Sequence, residues 1–327
     1  MPINATLLNM IISLVVPVYN EQNSLQQFND KLLDFINKQK DDYRIIYVND
    51  GSTDDTYKLL KNIAIKNRSV SFVSLSRNFG KEIALSAGIY YAQGDAIITL
   101  DGDGQHPLSY IPSFISKWQK GAAVVIGVRN HNGGSVIKKL ASSIFYKVFN
   151  AFSNVKLIPY STDFRLIDKS VRTEFIKMQE ANRINRGLID WLGYNRDYVY
   201  FEPGLRQGGK AKYSFAKLIK LASDSFVSLT PVPLYIFGFI GMIITPLALV
   251  LGLFIIFEQY FLGDPLLLNF TGTAMLGILI VFLIGMVLMS QGIIGLYLSH
   301  IQAQSANRPL FFIDYSKSTI NENANKT

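Results

Sequence analysis

Two stretches toward the C-terminal end, residues 232–257 and 271–299, carry no Asp, Glu, Lys, Arg or His. Each is long enough to cross a hydrocarbon core of roughly 30 Å as a helix. A buried soluble helix of that length would be expected to hold at least one charge. Pro246 and several glycines fall inside these stretches; they would weaken a soluble helix but are tolerated in membrane spans. The pattern predicts a two-span transmembrane domain over residues 232–299. The connecting loop holds Glu258 and Asp264 and no Lys or Arg. Lys210, Lys212, Lys217 and Lys220 precede the first stretch, and Arg308 and Lys317 follow the second. Cationic flanks stay on the cytoplasmic side, so both termini are expected there.

Composition agrees with a chain that is only partly water-soluble, with 49% hydrophobic and 17% charged residues. The net charge of +8 suits an anionic partner such as nucleic acid, a phospholipid surface or a phosphorylated substrate, without choosing among them. There is no cysteine, which excludes disulfides, thiolate metal sites and cysteine nucleophiles. The apolar run at residues 7–18 has no Lys or Arg before it, the first being Lys31, and a polar turn follows it. It reads as a buried strand and not as an export signal.

The first two-thirds of the chain alternate between β-branched runs and helical spacing. Strands are expected at 11–18, 44–49, 70–76 and 95–100, with helices at 24–39, 54–66 and 81–92 between and after them. Such alternation implies a mostly parallel sheet with helices on both faces. Ligands of these sheets sit beyond the carboxyl ends of the strands. Polar clusters fall at those ends: Tyr19-Asn20-Glu21, Asp50-Gly51-Ser52, Arg77-Asn78-Phe79-Gly80 and Asp101-Gly102-Asp103. Further on, a helix at 108–120, a strand at 123–128 and some strand near 198–202 are expected, within a long mixed region that contains Asp163-Phe164-Arg165 and Asn185-Arg186. Residues 214–229 place Phe215, Leu218, Ile219, Ala222, Phe226 and Leu229 on one helical face. Such a helix either packs on the soluble core or lies in the lipid interface; its position just before a span favours the interface. The segment after Arg308-Pro309, rich in Asn, Ser and Lys, reads as mostly disordered.

Asp101 and Asp103 are the residues most suggestive of chemistry. Two carboxylates one residue apart, just past a strand, can face one Mg²⁺ or Mn²⁺ ion, which commonly binds through one or two carboxylates plus substrate phosphates. Gly102 and Gly104 let the backbone approach a ligand closely. Asp50 and Glu21, at neighbouring strand ends, can accept hydrogen bonds from a ribose or a base; Asp50-Gly51-Ser52 can equally be a simple turn. Arg77 and Lys81 can pair with phosphate at a helix start, or with a nearby acid. His106 precedes Pro107 in a turn and reads as structural; His131 and His300 are given no role.

Together Val16-Pro17-Val18-Tyr19-Asn20-Glu21, Asn49-Asp50-Gly51-Ser52, Arg77-Asn78-Phe79-Gly80-Lys81-Glu82, Asp101-Gly102-Asp103-Gly104-Gln105-His106-Pro107 and Asp163-Phe164-Arg165-Leu166 resemble glycosyltransferase family 2. Within it the chain is most similar to polyprenyl-phosphate glycosyltransferases, which include dolichol-phosphate mannose synthases and bactoprenol glucosyltransferases. The resemblance runs from about residue 11 to 310 and includes the two apolar stretches. It implies a GT-A-type catalytic domain over 1–213, an interfacial helix over 214–231, the spans over 232–299 and a cytoplasmic tail over 300–327. It further implies that Pro17, Tyr19, Glu21, Asp50 and Asp101 hold the nucleotide and that Asp101 and Asp103 hold Mg²⁺ or Mn²⁺. Asp163 takes the place of the family's catalytic or acceptor-site aspartate, with Asp103 also catalytic. Arg206, with Gly209, Lys212 and Tyr213, falls in a segment near the lipid phosphate. Arg129, Lys210 and Lys212 offer further positive charge for that phosphate, and the fork of Arg206 matches phosphate geometry best. Two departures are Asp-Gly-Asp-Gly where the family often has Asp-Ala-Asp-Leu, and Ala211 where it often has Ser or Thr; neither removes a metal ligand or a cation.

The expected reaction is inverting transfer of a sugar, glucose from UDP-glucose first among donors, to undecaprenyl or another polyprenyl phosphate at the cytoplasmic face of a bacterial inner membrane, for cell-surface glycan modification. The lipid phosphate is already an anion, so Asp163 is expected to position more than to accept a proton. UDP-GlcNAc and GDP-mannose are alternative donors, and a non-catalytic sugar-nucleotide-binding scaffold is an alternative of another class. The resemblance implies a homo-oligomer, a tetramer by likeness, and no nucleic-acid partner. A processive polysaccharide synthase is disfavoured by the absence of Gln-x-x-Arg-Trp, and a nicotinamide enzyme by the absence of G-x-G-x-x-G after the first strand.

Overall fold

The computed structural model describes residues 10–130, 158–180, 183–204, 272–305 and 308–320, together with Ile243, Val250 and Phe257. The chain divides into two compact units, one of Met1–Ser214 with Arg308–Thr327 and one of Phe215–Asn307.

The first unit is built on seven strands: β1 (Ile11–Val18), β2 (Asp42–Asn49), β3 (Val70–Ser74), β4 (Ala96–Thr99), β5 (Val124–Arg129), β6 (Ser161–Asp168) and β7 (Arg196–Phe201). They form one sheet in the order β3-β2-β1-β4-β6-β5-β7. β1 pairs in parallel with β2 and β4, and β2 with β3. The alternation that built these strands also sorts their side chains. Ile12, Leu14, Val16 and Val18 enter one core with Leu25, Phe28 and Leu32 of α1 (Leu25–Ile36) and Leu60 and Ile63 of α2 (Thr56–Lys66). Val15 and Ile97 enter the opposite core with Ala84, Leu85 and Ile89 of α3 (Lys81–Tyr91). Both faces are therefore covered, as period-2 side-chain alternation in a parallel sheet demands. Each fully buried Ile or Leu contributes about 1.5–3 kcal/mol.

β6 was not among the expected strands. It lies antiparallel between β4 and β5, pairing Thr99 with Arg165 on one side and Ile126 with Arg165 on the other. Because it runs against its neighbours, its beginning lies beside the carboxyl end of β4. That places Asp163 next to the turn after β4. The expected helix at 108–120 is a short 3₁₀ turn, Leu108–Tyr110, followed by α4 (Ile111–Gln119). α5 (Lys169–Phe175) and α6 (Asn185–Trp191) complete this unit and pack into the α3-side core through Val171, Phe175, Leu188 and Ile189.

The tail corrects an expectation. Residues 308–320 are not disordered, and Phe312 to Thr319 run along β3 and the residues just after it. Leu75 and Ile313 form an antiparallel bridge, the Ser76 N–H donates to Phe312 O at 2.9 Å, and the Asp314 N–H donates to Ser74 O at 2.9 Å. An exposed strand edge offers unpaired backbone groups, and this segment covers it with backbone and hydroxyl partners while Phe311, Ile313 and Ile320 pack against the α3-side core.

The second unit contains α7 (Gly272–Ser305), 34 residues without an Asp, Glu, Lys or Arg. Counted over the described residues alone, no helix is long and apolar enough to cross a membrane. The expected interfacial helix at 214–231 lies outside the described residues, as does the first expected span apart from Ile243, Val250 and Phe257.

Candidate active site

The site grows from the loops at the carboxyl ends of β1 to β4. The β1 loop turns at Asn20, whose φ is +53°, and Asn20 is bound to the β2 loop: the Thr53 N–H donates to Asn20 Oδ1 at 2.9 Å, and the Asn20 N–H donates to Ser52 Oγ at 3.0 Å. The Glu21 N–H donates to Thr56 Oγ1 at 2.9 Å. Pro17, Tyr19 and Glu21 are thus held as one ledge, with Tyr19 exposed.

The β2 loop in turn carries the β3 loop. Gly51 has φ of +64°, and a Cβ there would lie 2.3 Å from the Arg77 carbonyl carbon and 2.5 Å from Asn78 N. Only glycine permits this backbone-on-backbone contact. Asp50 is buried beside it and its carboxylate accepts the Phe79 N–H at 2.7 Å and the Gly80 N–H at 3.0 Å. Burial pushes the Asp50 carboxyl up, while those two N–H donors hold it back. Expected to hold nucleotide, Asp50 here first holds a loop; a base or ribose would meet only its remaining lone pairs.

That loop delivers Lys81, the first residue of α3. Its ammonium lies 2.6 Å from Asp101 Oδ1 and 2.7 Å from Asp163 Oδ2. The open choice for Lys81 is therefore decided for acids in this state. The carboxylate convergence is between Asp101 and Asp163; Asp103 accepts the Gln105 N–H of its own turn at 3.0 Å. Burial works against a charged Lys81, but Asp163 and then Asp101 hold its pKa above the ordinary lysine range. Burial likewise works against an ionised Asp163, and Lys81, then Arg186 and Arg165, bring its carboxyl down to about 2. Asp163 is an anion at neutral pH.

Three supports hold this cluster, and the partners of each were not evident in the sequence. His106 is buried, its Nδ1 accepts the Asp101 N–H at 3.0 Å, and its ring stacks on Phe164 at 5.0 Å with a 13° tilt. Burial lowers its pKa, so it is a neutral prop for Asp101, in line with the structural role expected. Arg165 is buried and paired with the equally buried Asp190 at 2.9 Å, which ties β6 to α6. Glu82 accepts the Asn185 N–H at 2.8 Å and fixes α6 to α3.

On the far side, Gly204 donates its N–H to Gln105 O at 3.1 Å, and a Cβ on Gly204 would meet Gly104 O at 2.8 Å. The chain leading toward Arg206 therefore starts against the Asp101–Gly104 turn. Arg206, Lys210, Lys212 and Tyr213 lie outside the described residues. Arg129, at the end of β5, has a buried Nε without a hydrogen-bond partner among the described residues. Among the described residues no group of three or more His, Asp or Glu side chains could hold a metal ion. Two carboxylates on one turn are a donor set that a Mg²⁺- or Mn²⁺-type cation takes together with substrate phosphates, and such a cation would have to displace the Lys81 ammonium that stands 2.6 Å from Asp101.

The mostly parallel α/β sheet, with the acidic turn after its central strand facing the Lys81 ammonium, is GT-A-like in arrangement. A family model for glycosyl transferase family 2 matches residues 13–175. An uncharacterized glycosyltransferase of Synechocystis sp. is 38% identical over 303 residues, covering 92% of this chain and 94% of its own. A bactoprenol glucosyl transferase of Shigella phage SfV is 33% identical over 309 residues, covering 94% and 99%. The putative glycosyltransferase CsbB of Bacillus subtilis is 33% identical over 308 residues, covering 93% and 91%. The chain belongs to glycosyltransferase family 2, and it is a glycosyltransferase.

Proposed function

We propose that the protein transfers glucose from UDP-glucose, with inversion, to a polyprenyl phosphate at the cytoplasmic face of a bacterial inner membrane, in the modification of a cell-surface glycan. The observation that carries the reading is the convergence of Asp101 and Asp163 on the Lys81 ammonium at the carboxyl edge of the sheet. Similarity to bactoprenol glucosyl transferases over nearly their whole length supports the lipid acceptor and the glucosyl donor.

The ledge of Pro17, Tyr19 and Glu21, with Asp50 behind it, binds the nucleotide. Asp101 and Asp103 would hold a divalent ion, which when bound would neutralise charge that builds on the leaving diphosphate. Lys81 can add a second positive charge there by exchanging one of its present acids for a phosphate oxygen. The acceptor is an anion before it binds. It needs positive charge to approach another anion, and Arg129, Arg206, Lys212 and Tyr213 provide donors for it. Asp163, ionised at neutral pH, aims Lys81 and orders the acceptor without taking a proton. The stretches 232–257 and 271–299 are read as membrane spans from their sequence, on the strength of their freedom from charge. The spans and the 214–231 helix keep the site within reach of a phosphate whose tail stays in the bilayer.

The test incubates membranes containing the protein with undecaprenyl phosphate and a panel of labelled UDP- and GDP-sugars. UDP-glucose is expected to label an organic-extractable, mild-acid-labile lipid. Asp101→Asn and Asp103→Asn are expected to cut labelling by about 10²–10³-fold, the scale for loss of a group that stabilises developing charge. Labelling unaffected by both changes would remove the metal turn from the mechanism. Donor binding without a labelled lipid from any donor would favour the scaffold reading.

A further inference from the structure

We propose that the C-terminal segment 311–319 is a working part of the donor site, and that Phe312 is a positioning residue for the loop of Arg77 to Lys81. The segment grips β3 at several points. The Phe72 N–H donates to Thr319 Oγ1 at 2.8 Å and the Ser74 N–H to Ser318 Oγ at 3.0 Å. The Thr319 N–H returns a bond to Phe72 O at 3.0 Å. The last bond of the ladder, from the Ser76 N–H to Phe312 O at 2.9 Å, falls on the residue before the loop begins.

At that point the contact passes from backbone to ring. Phe312 lies 6.5 Å from the Phe79 ring, and the Arg77 guanidinium sits 4.3 Å from the centre of Phe79. Phe79 is thus held by Phe312 and Arg77 through its ring and by Asp50 through its N–H. Two residues on is Lys81, which spans Asp101 and Asp163. Phe312 is itself 55% exposed, so its contact with Phe79 is not a by-product of core packing. Aromatic pairs of this kind contribute beyond the area they bury, and a loop fixed from both sides holds its cation in place with less loss of entropy on ligand binding.

This inference rests on the reading of the Arg77–Lys81 loop as part of the donor site, and the experiment separates the two. Full-length Phe312→Ala is compared with wild type and with Phe312→Tyr, which keeps a ring. Hydrogen exchange is followed for the peptide containing Phe79 and Gly80, without ligand. UDP-glucose KM and kcat are measured with undecaprenyl phosphate as acceptor. Phe312→Ala is expected to raise exchange of that peptide at least tenfold and KM about fivefold to twentyfold, with kcat changed less than threefold. The β1 peptide should be unaffected, and Phe312→Tyr should restore both quantities. Wild-type exchange of the Phe79 peptide in Phe312→Ala would overturn the proposal. So would faster exchange with unchanged KM, since the loop would then move without consequence for the donor. If wild type neither binds nor turns over UDP-glucose while exchange responds as expected, the donor assignment fails and the coupling of tail to loop stands.

Discussion

Lys81 has two acids within 2.7 Å, and its removal has a calculable sign. Asp163 has a folded-state carboxyl at about 2, below the roughly 3.9 of an unfolded aspartate. A depressed carboxylate stabilises the fold above the unfolded value, and that stability is lost as pH falls through the folded one. The window is therefore about pH 4 down to about pH 2. The full linkage is about 2–3 kcal/mol, to be discounted because the Lys81 side chain is 44% exposed. In Lys81→Met, burial, the largest influence on Asp163, acts with less opposition, and the carboxyl rises. Acid unfolding followed by near-UV circular dichroism should begin at higher pH in Lys81→Met than in wild type. Identical acid midpoints would show that this ion pair contributes no net stability. Asp101 was legible in the sequence because it stands at the end of an expected strand, whereas Asp163 lies within β6 and was singled out only through the family resemblance. Their pairing through Lys81 was not legible, because a cation beside Gly80 has the same local sequence whether it meets phosphate or carboxylate.

Elements were legible to the degree that their apolar residues sit at one period. β1 matched its expected span, and β2 and α3 came within two residues, because runs such as Ile-Tyr-Val or Ile-Ala-Leu leave one structure compatible with burial. β6 escaped because Ser161, Thr162, Asp163, Arg165 and Asp168 interrupt its apolar pattern, and its partners β4 and β5 are fixed by pairing across the sheet, not by neighbours in sequence. Arg165 shows how such a strand is kept. Its side chain is 2% exposed and that of Asp190 is 1% exposed, while Arg165 Nε also donates to Thr162 O at 3.1 Å. Arg165→Leu would leave Asp190 buried with its main partner gone, at a cost of about 3–5 kcal/mol. A fall in thermal midpoint is expected, and adding Asp190→Leu should recover most of it, since two apolar side chains leave no unpaired charge. Equal midpoints for the single variant and wild type would mean that the pair does not hold β6 to α6.

At the scale of the whole chain, the catalytic unit is discontinuous: Met1–Ser214 is completed by Arg308–Thr327, with Phe215–Asn307 between them. Cutting such a chain near residue 230 removes two things at once, the stretches read as membrane spans and the strand-edge partner of β3. A loss of activity in that truncation would not distinguish membrane delivery from damage to the donor loop. Replacing residues 231–307 by a long Gly/Ser linker separates them, because a flexible linker keeps the tail at high local concentration without a span. The truncated chain is expected to bind UDP-glucose more weakly by about the factor set by Phe312→Ala or more, as it also loses the β3 ladder. The linker chain is expected to bind UDP-glucose like wild type and to glucosylate a short-chain, water-soluble polyprenyl phosphate at a comparable rate. On undecaprenyl phosphate in bilayers it should fall well behind, because its acceptor no longer shares a surface with the enzyme. Equal rates on the bilayer substrate would show that residues 231–307 do not serve delivery of the lipid, and weak nucleotide binding by the linker chain would show that the tail needs more than proximity to find β3.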